Sequence, residues 1–539
     1  MTDTHDKKKM KKTITEISVL SSGSTHVVGM IVLFFILCLI CFPKPAVAIE
    51  RHIIIAKPFG PSTDLPDPAV GGNGWYTNEA GITETLFVLD DHMEPIPWLA
   101  QSYKNIDSLT WEIRLKQGIL FHDDTPLSAE AVKASLERMT GKESPVFNKR
   151  LQALLDIQEI TVKDERSLLF LTTHPNASFI YDLTSPDAGI VRLSPGNHKL
   201  YGTGPFYLKK VVPQEEMTVS RFDKYWGGKP ALTGADFKII KNPLTRMLAF
   251  ESRQVDIAVN FPETDAERVT SEKGVGLHYQ PTNRVCFFFV RVKDGPFSSP
   301  VVLKAVNYAI DREEIVNTVL SKIGGEVGAS IFPPTLPWCN TTIKPWPYDP
   351  EKARELLTSA GAKDTDGDGI LEIDGRPFII NAWTYEQRAS LKPTLELIQQ
   401  QIGKVGISMV IKVTQKGSPI NEAMKKGRVE LNLQMWNVAP NGDPDFFISN
   451  VFVKNSGSNF MGYVNPELDG LTKKGKTVFN REERKKIYDR IQSIVYEESP
   501  VIVLFYKNMV SAVHENVKNY KIHPAEKYIM TKDLYLDGS

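Results

Sequence analysis

Two stretches of this chain carry residue types at spacings that could do chemistry. The first, Asp364-Thr365-Asp366-Gly367-Asp368-Gly369-Ile370, sets Asp364, Asp366 and Asp368 at alternate positions with a glycine where a calcium loop turns. A calcium loop of the EF-hand kind needs an acid at its twelfth position, and that position is Gly375. Glu372 and Asp374 compensate only in part, and Gly375-Arg376-Pro377 leads into a strand. The loop is therefore a calcium candidate without its closing ligand, beside the plainer reading of a polar hairpin turn. The second stretch, Gly71-Gly72-Asn73-Gly74-Trp75-Tyr76-Thr77-Asn78, combines glycines that let backbone approach a ligand with two flat amphipathic rings. Its chemistry would be non-covalent recognition, and its bland alternative is a loop packed on its own domain. Catalytic signatures are missing. The sequence has no Gly-x-Ser-x-Gly elbow, no His-Glu-x-x-His, no Walker loop and no Rossmann fingerprint. The pairs Glu215-Glu216 and Glu497-Glu498 are adjacent, so on a regular element they point apart. The chain reads as a binding protein rather than an enzyme, with no cofactor.

The elements that must position such residues alternate between strand and helix, so the class is α/β or α+β. Thr110-Trp111-Glu112-Ile113-Arg114-Leu115 has the period of a half-buried strand. Ser128 is a good N-cap for a helix whose Val132, Leu136 and Met139 share one face. Strand-rich stretches run over 159–171 and 206–221. Helices are expected over 305–320, from Pro350, over 391–405 and after Arg481. The run Val501-Ile502-Val503-Leu504-Phe505-Tyr506 suits a strand buried on both faces. Cys286, inside Val285-Cys286-Phe287-Phe288-Phe289-Val290, reads as a buried strand residue. No repeat and no low-complexity linker interrupts the chain.

The N-terminus addresses the protein. Lys7, Lys8, Lys9, Lys11 and Lys12 precede an apolar run from Val27 to Phe42, and Ala46-Val47-Ala48 follows. That order is a secretory leader, with cleavage expected after Ala48. The run is shorter than the roughly 20 residues of a membrane-spanning helix. Taking away this leader, with its six lysines and three acids, from 64 basic and 64 acidic residues leaves a net charge near −3. Nothing there attracts nucleic acid or an anionic membrane. Two cysteines remain, Cys286 and Cys339, too few for a disulfide scaffold, and whether they pair stays open. The remaining length calls for two or three domains.

At this point the motifs resemble a known family. Trp98-Leu99-Ala100-Gln101-Ser102-Tyr103, Trp111 to Leu115 and Gly118-Ile119-Leu120-Phe121-His122-Asp123 are similar to the opening of the family 5 extracellular solute-binding proteins of ABC importers. Gly202-Thr203-Gly204-Pro205-Phe206-Tyr207, Tyr225-Trp226-Gly227-Gly228-Lys229-Pro230, Arg246 to Glu251 with Val255-Asp256-Ile257, and Asn307-Tyr308-Ala309-Ile310-Asp311-Arg312 continue the resemblance in the family's order. It implies an α/β, two-lobed periplasmic binding protein of the large three-subdomain type II variety, with its ligand cleft between the lobes. The expected layout is a signal peptide over 1–48, lobe one over 49–288 with a subdomain inserted at about 95–190, lobe two over 289–506, and a return to lobe one over 507–539.

The resemblance also places a pocket. Trp75, Tyr76 and Thr77 are expected there from lobe one. From lobe two the segment Met435 to Phe447, with Trp436, Asn437, Asn441 and Asp443, is similar to the family's pocket segment. Peptide binders of the family carry an Asp shortly after that Trp for the ligand's α-amino group. Here Ala439-Pro440 stands in its place, as in nickel-type members. Those add an Arg for a chelator carboxylate. In this chain Asp187 stands near that place, with Arg192, Arg150 and Lys149 as substitutes nearby. No His lies between His278 and His514, so a lobe-two His ligand is absent. A short peptide and a nickel chelate stay equally open as ligands. The expected protein is a periplasmic or extracytoplasmic monomer that hands its solute to permease subunits with separate ATPases. A ligand sensor for a membrane chemoreceptor, or an exported hydrolase, is the alternative.

Overall fold

The computed structural model describes residues 51–538 except Glu272 and Lys416. The expected leader and its cleavage point lie outside the described residues. Among the described residues, no helix is long and apolar enough to cross a membrane.

One long mixed sheet runs through the molecule. Its strand order is Phe206–Val212, Glu216–Arg221, Gly234–Ile239, His52–Lys57, Ile257–Val259, Val501–His514, Val275–Val290, Leu431–Asn437, Ile379–Tyr385 and Ser408–Thr414, and Gly325–Val327 pairs aside with Val501–His514. Two strands in the middle are much longer than the rest. Val275–Val290 and Val501–His514 pair antiparallel from Val275↔His514 to Phe289↔Val501, with a register shift between Pro281 and Arg284. On one side of that shift, residues 511–513 pair with the short strand Ile257–Val259. On the other, residues 284–290 pair with Leu431–Asn437. The same two strands thus belong to both lobes, which is why no linker is visible in the sequence.

The cores follow this division. Phe287, Phe288, Phe289, Ile502 and Leu504, all fully buried, sit in a cluster with the helices Pro300–Ala309, Leu391–Gly403 and Arg481–Glu498. Ile53, Ile55, Phe206, Phe237, Val513 and Leu534 form another around the opposite end of the sheet. A third cluster, from Leu86 to Ile190, is built on a four-stranded sheet in the order Ala100–Asn105, Thr110–Leu115, Ser167–Thr172, Ile157–Asp164. The helix Ala129–Thr140 covers it and starts as its sequence predicts, with the Ser128 hydroxyl accepting from the Ala131 N–H at 3.2 Å. Burying three aliphatic or thioether side chains (Val132, Leu136, Met139) on that face contributes several kcal/mol.

One helix differs from expectation. The span 305–320 is two helices, Pro300–Ala309 and Arg312–Thr318, because the Asp311 side chain caps the second by accepting from the Glu314 N–H. The acidic loop lies in a hairpin. Asp364 accepts from the N–H groups of Gly367 and Gly369, Asp366 from Asp368 and Asp368 from Ile370, and all three carboxylates are exposed. Each is engaged with its own turn.

Candidate functional site

A cavity of about 270 Å³ opens where the lobes meet, lined by Trp75, Arg150 and Ser185 from one side and by Met435, Trp436, Asn437, Pro440, Asn441 and Phe446 from the other, with Arg284 at the junction. Trp75 is placed by the helix Asn73–Glu79, which lies tight on the turn Pro186–Ala188. A Cβ on Gly74 would stand 2.4 Å from the Pro186 carbonyl oxygen, so only glycine allows the approach. Trp436 is the next-to-last residue of the strand Leu431–Asn437 and packs edge-on against Phe289 at 5.4 Å and Phe447 at 6.1 Å between centroids. The two indoles are thereby held on opposing lobes by rigid elements.

The lining is basic. Arg150 pairs with Asp187. The Arg284 Nε donates to Glu526 Oε1 at 2.6 Å in a forked pair that is almost wholly buried. Burial alone would lower the guanidinium pKa, and the Glu526 carboxylate more than offsets it. Lys527 is buried, donates to the Thr184 carbonyl at 3.0 Å and lies 5.7 Å from the Trp75 ring centre. Burial lowers its pKa to about 7, against a smaller upward pull from Asp187. Arg388 reaches across the cleft to Asn260 Oδ1 at 3.1 Å and to the Phe59 ring at 5.2 Å. No carboxylate stands within ion-pair distance of it among the described residues, and burial, then Arg284, lower its pKa against an upward pull from the Glu526 carboxylate. Two buried acceptors, Asn437 Oδ1 and Asp187 Oδ1, have no hydrogen-bond partner among the described residues. Orphaned buried acceptors are rare and point to a missing donor.

The structure brings Trp75, Arg150, Trp436, Asn437 and Asn441 to this cavity, with Asp187 behind Arg150. Four of the sequence-predicted residues are elsewhere. Tyr76, one helical step from Trp75, turns to the lobe-one core and the Lys57 ammonium at 5.5 Å. Thr77 is fully buried, hydrogen-bonded to Thr83 Oγ1 at 2.9 Å. Arg192 is half exposed and bound to Asp123 Oδ2 at 3.0 Å, outside the cavity. Asp443 is fully buried, its oxygens taken by Arg484 and by the Ser178 hydroxyl at 3.0 Å. Sequence reasoning missed Arg284, Arg388, Glu526 and Lys527. Arg284 did leave a signal, since it stands just before the apolar buried run 285–290 within the strand Val275–Val290; the other three sit in segments without a pattern.

Comparison with known proteins gives this arrangement its family. Residues 94–459 match the model of bacterial extracellular solute-binding proteins, family 5 Middle. The chain belongs to family 5 of the bacterial extracellular solute-binding proteins. The glutathione-binding protein GsiB of Salmonella typhi is 28% identical over 458 residues, which is 81% of this chain and 86% of that one. Among solved structures, a nickel ABC transporter protein of Bacillus halodurans aligns with TM-score 0.73 and 27% identity over 90% of this chain and 100% of the other. The oligopeptide-binding protein AppA of Bacillus subtilis, in complex with a nonapeptide, shares the fold with TM-score 0.75 and 23% identity over 90% and 98%. As a family 5 member with this two-lobed fold, the protein is a solute-binding protein whose cavity lies at the seam of its lobes.

Proposed function

We propose that this protein is the exported binding component of an ABC importer and that it captures a carboxylate-bearing, peptide-like solute by closing its lobes. The observation that carries the reading is the charge of the cavity. Arg150 and Arg284 line it, Lys527 lies beside its Trp75 and Arg388 near Arg284, four cations against the two carboxylates Asp187 and Glu526, and Arg388 has no ion-pair partner of its own among the described residues. A ligand carboxylate would supply that partner, and a half-buried guanidinium gains from a fork-matched anion. Trp75 and Trp436 would clamp the ligand's apolar part, and Asn437 Oδ1 would accept one of its N–H groups. Since the cavity has walls from both lobes, ligand affinity is greater for the closed state, and binding shifts the population toward it. We place the hinge at Thr282-Asn283 and near Lys507, where the register of the two crossing strands slips. The leader, cleavage after Ala48, a monomeric state and delivery to separate permease and ATPase subunits belong to the same reading.

A nickel chelate is the second reading, supported by the likeness to the nickel ABC transporter protein and by the Ala439-Pro440 pair. No His or Cys lines the cavity, so the metal would have to arrive already ligated. Thermal-shift titration and native mass spectrometry with short peptides (glutathione among them) and with Ni²⁺ plus histidine separate the two. Stabilisation by peptides alone supports the first reading. Stabilisation by Ni²⁺ only with chelator present supports the second, and none by either refutes the placement of the site.

A further inference from the structure

The small cavity shares part of its wall with a larger neighbour. Arg150 and Phe446 also line a second chamber of about 750 Å³, nearly three times larger. One wall is the helix Lys149–Leu155 of the inserted subdomain with the His174-Pro175-Asn176 loop. The other is the helix Asp445–Val451 with Ser456-Gly457. The chamber's lining sets Lys149, Arg150, Lys476 and His174 beside three acids, two of which have a basic neighbour. Asp445 stands 3.3 Å from Lys476 and Asp156 stands 2.9 Å from His174.

Asp182 is the exception. It lines the chamber, is 2% exposed, and has no cation within ion-pair distance among the described residues. Its partners are neutral amides. Asn441 Nδ2 donates to one oxygen at 2.8 Å and Asn176 Nδ2 to the other at 3.1 Å. Each carboxylate oxygen can accept a second hydrogen bond. Burial, and then Asp443 and Asp445 nearby, push its carboxyl well above the usual range, against smaller downward pulls from the Asn176 amide and the more distant Lys476.

We propose that the second chamber takes the cationic end of an elongated ligand, a primary ammonium such as a peptide's α-amino group, with Asp182 as its counter-ion and the carboxylate end in the small basic cavity. This rests on the peptide reading above. A buried ammonium needs a charge partner, and no acidic residue lines the small cavity among the described residues. Asp182 offers that charge in the second chamber. Its hydrogen bond to Asn441 crosses the seam, so an ammonium bound there would touch both lobes and add to closure.

The test is native mass spectrometry of the full mature protein with a mixed library of unblocked di- to pentapeptides and its N-acetylated counterpart. Three proteins are compared: wild type, Asp182→Asn, and Ala153→Trp, which fills the chamber from an exposed helix position. The expected result is at least a tenfold wild-type preference for free amines. Asp182→Asn abolishes that preference while binding acetylated peptides as wild type does, which also shows that it folds. Ala153→Trp loses the longer peptides and keeps dipeptides. A preference that survives in Asp182→Asn overturns the proposal, because the amine is then read elsewhere. Wild type binding both libraries equally overturns it too, while leaving the peptide reading intact. If wild type retains neither library, the peptide reading falls and takes this proposal with it.

Discussion

Replacing Asp443 with Asn should unfold this protein earlier and leave its ligand affinity nearly unchanged. Asp443 is fully buried and the Arg484 side chain is 3% exposed. The carboxylate takes Arg484 Nη2 at 2.9 Å and the Ser178 hydroxyl at 3.0 Å, and the guanidinium stacks 5.2 Å from the Trp338 ring. The neutral amide would leave a buried cation without its counter-ion, a loss of about 3–5 kcal/mol. Arg484 keeps the Gly475 carbonyl at 2.8 Å and the Ser178 hydroxyl at 2.7 Å, which favours the lower figure. For a chain of about 490 residues the unfolding entropy is roughly 1 kcal/mol per kelvin, so Tm should fall by about 3–5 °C. Removing both charges, as Asp443→Asn with Arg484→Met, should recover much of the loss, because replacing a buried pair by apolar packing is often neutral. Differential scanning calorimetry measures the first quantity and calorimetric titration the second. An unchanged Tm with a tenfold loss of affinity would refute the reasoning: Asp443 would then meet the ligand.

Four further outcomes follow from the same structure. Trp436→Ala should weaken ligand binding at least tenfold in titration calorimetry, whereas Tyr76→Ala should lower Tm and alter affinity less than threefold, since only Trp436 lines the cavity. Folded Lys527 releases its proton near pH 7 and unfolded lysine near 10.5, so the unfolded state binds more protons between these values and stability rises with pH across that window. Lys527→Met should therefore stabilise by a few kcal/mol at pH 6 and progressively less up to pH 10, which urea melts at several pH values check. Cys286 and Cys339 are free and buried, burial raising the first thiol well above its usual range and the second to about 11; a thiol reagent at pH 8 should label neither in the native protein and both in urea. Removing calcium with EGTA should shift Tm by less than 1 °C, because the Asp364, Asp366 and Asp368 carboxylates already close their own turn and no buried group depends on an ion there.

How much of this was legible in the sequence depended on distance along the chain. The helix from Ser128 was readable because cap and apolar face are set by residues three and four apart. The helix near 305 was over-extended because Asp311 acts as a cap only once Ile310 leaves the helical path. Trp436 was expected in the pocket because its segment is similar to the family's pocket segment, and it lines the cavity. Asp443 was misread for a related reason: a carboxylate beside an expected pocket looks like a ligand group until Arg484, 41 residues on, is seen to hold it. Tyr76 and Thr77 failed on helix geometry, since neighbours in a helix point about 100° apart and only Trp75 of the three lines the cavity. Glu526 and Lys527 were invisible, because their meaning comes from Arg284 and Thr184, hundreds of residues away.

The two long strands explain why these distant groups converge. A hinge made from ordinary linkers would let the lobes close along many paths. Here both crossings lie in one sheet, and the register slip at Thr282-Asn283 gives the pair a local break in its ladder. Asn283 sits at that break, fully buried, donating to the Ala439 carbonyl at 3.1 Å, while Thr335 Oγ1 donates to its side-chain oxygen at 2.7 Å. Arg284, the next residue, reaches Glu526 on the C-terminal return. The break in the ladder and the cavity's central cation are therefore adjacent in sequence. Rotation about the break must move Arg284 relative to Glu526 or carry the two together. In either case, on the proposed reading, the charge that would receive a ligand carboxylate is coupled to closure by a single peptide bond rather than by a chain of intermediates.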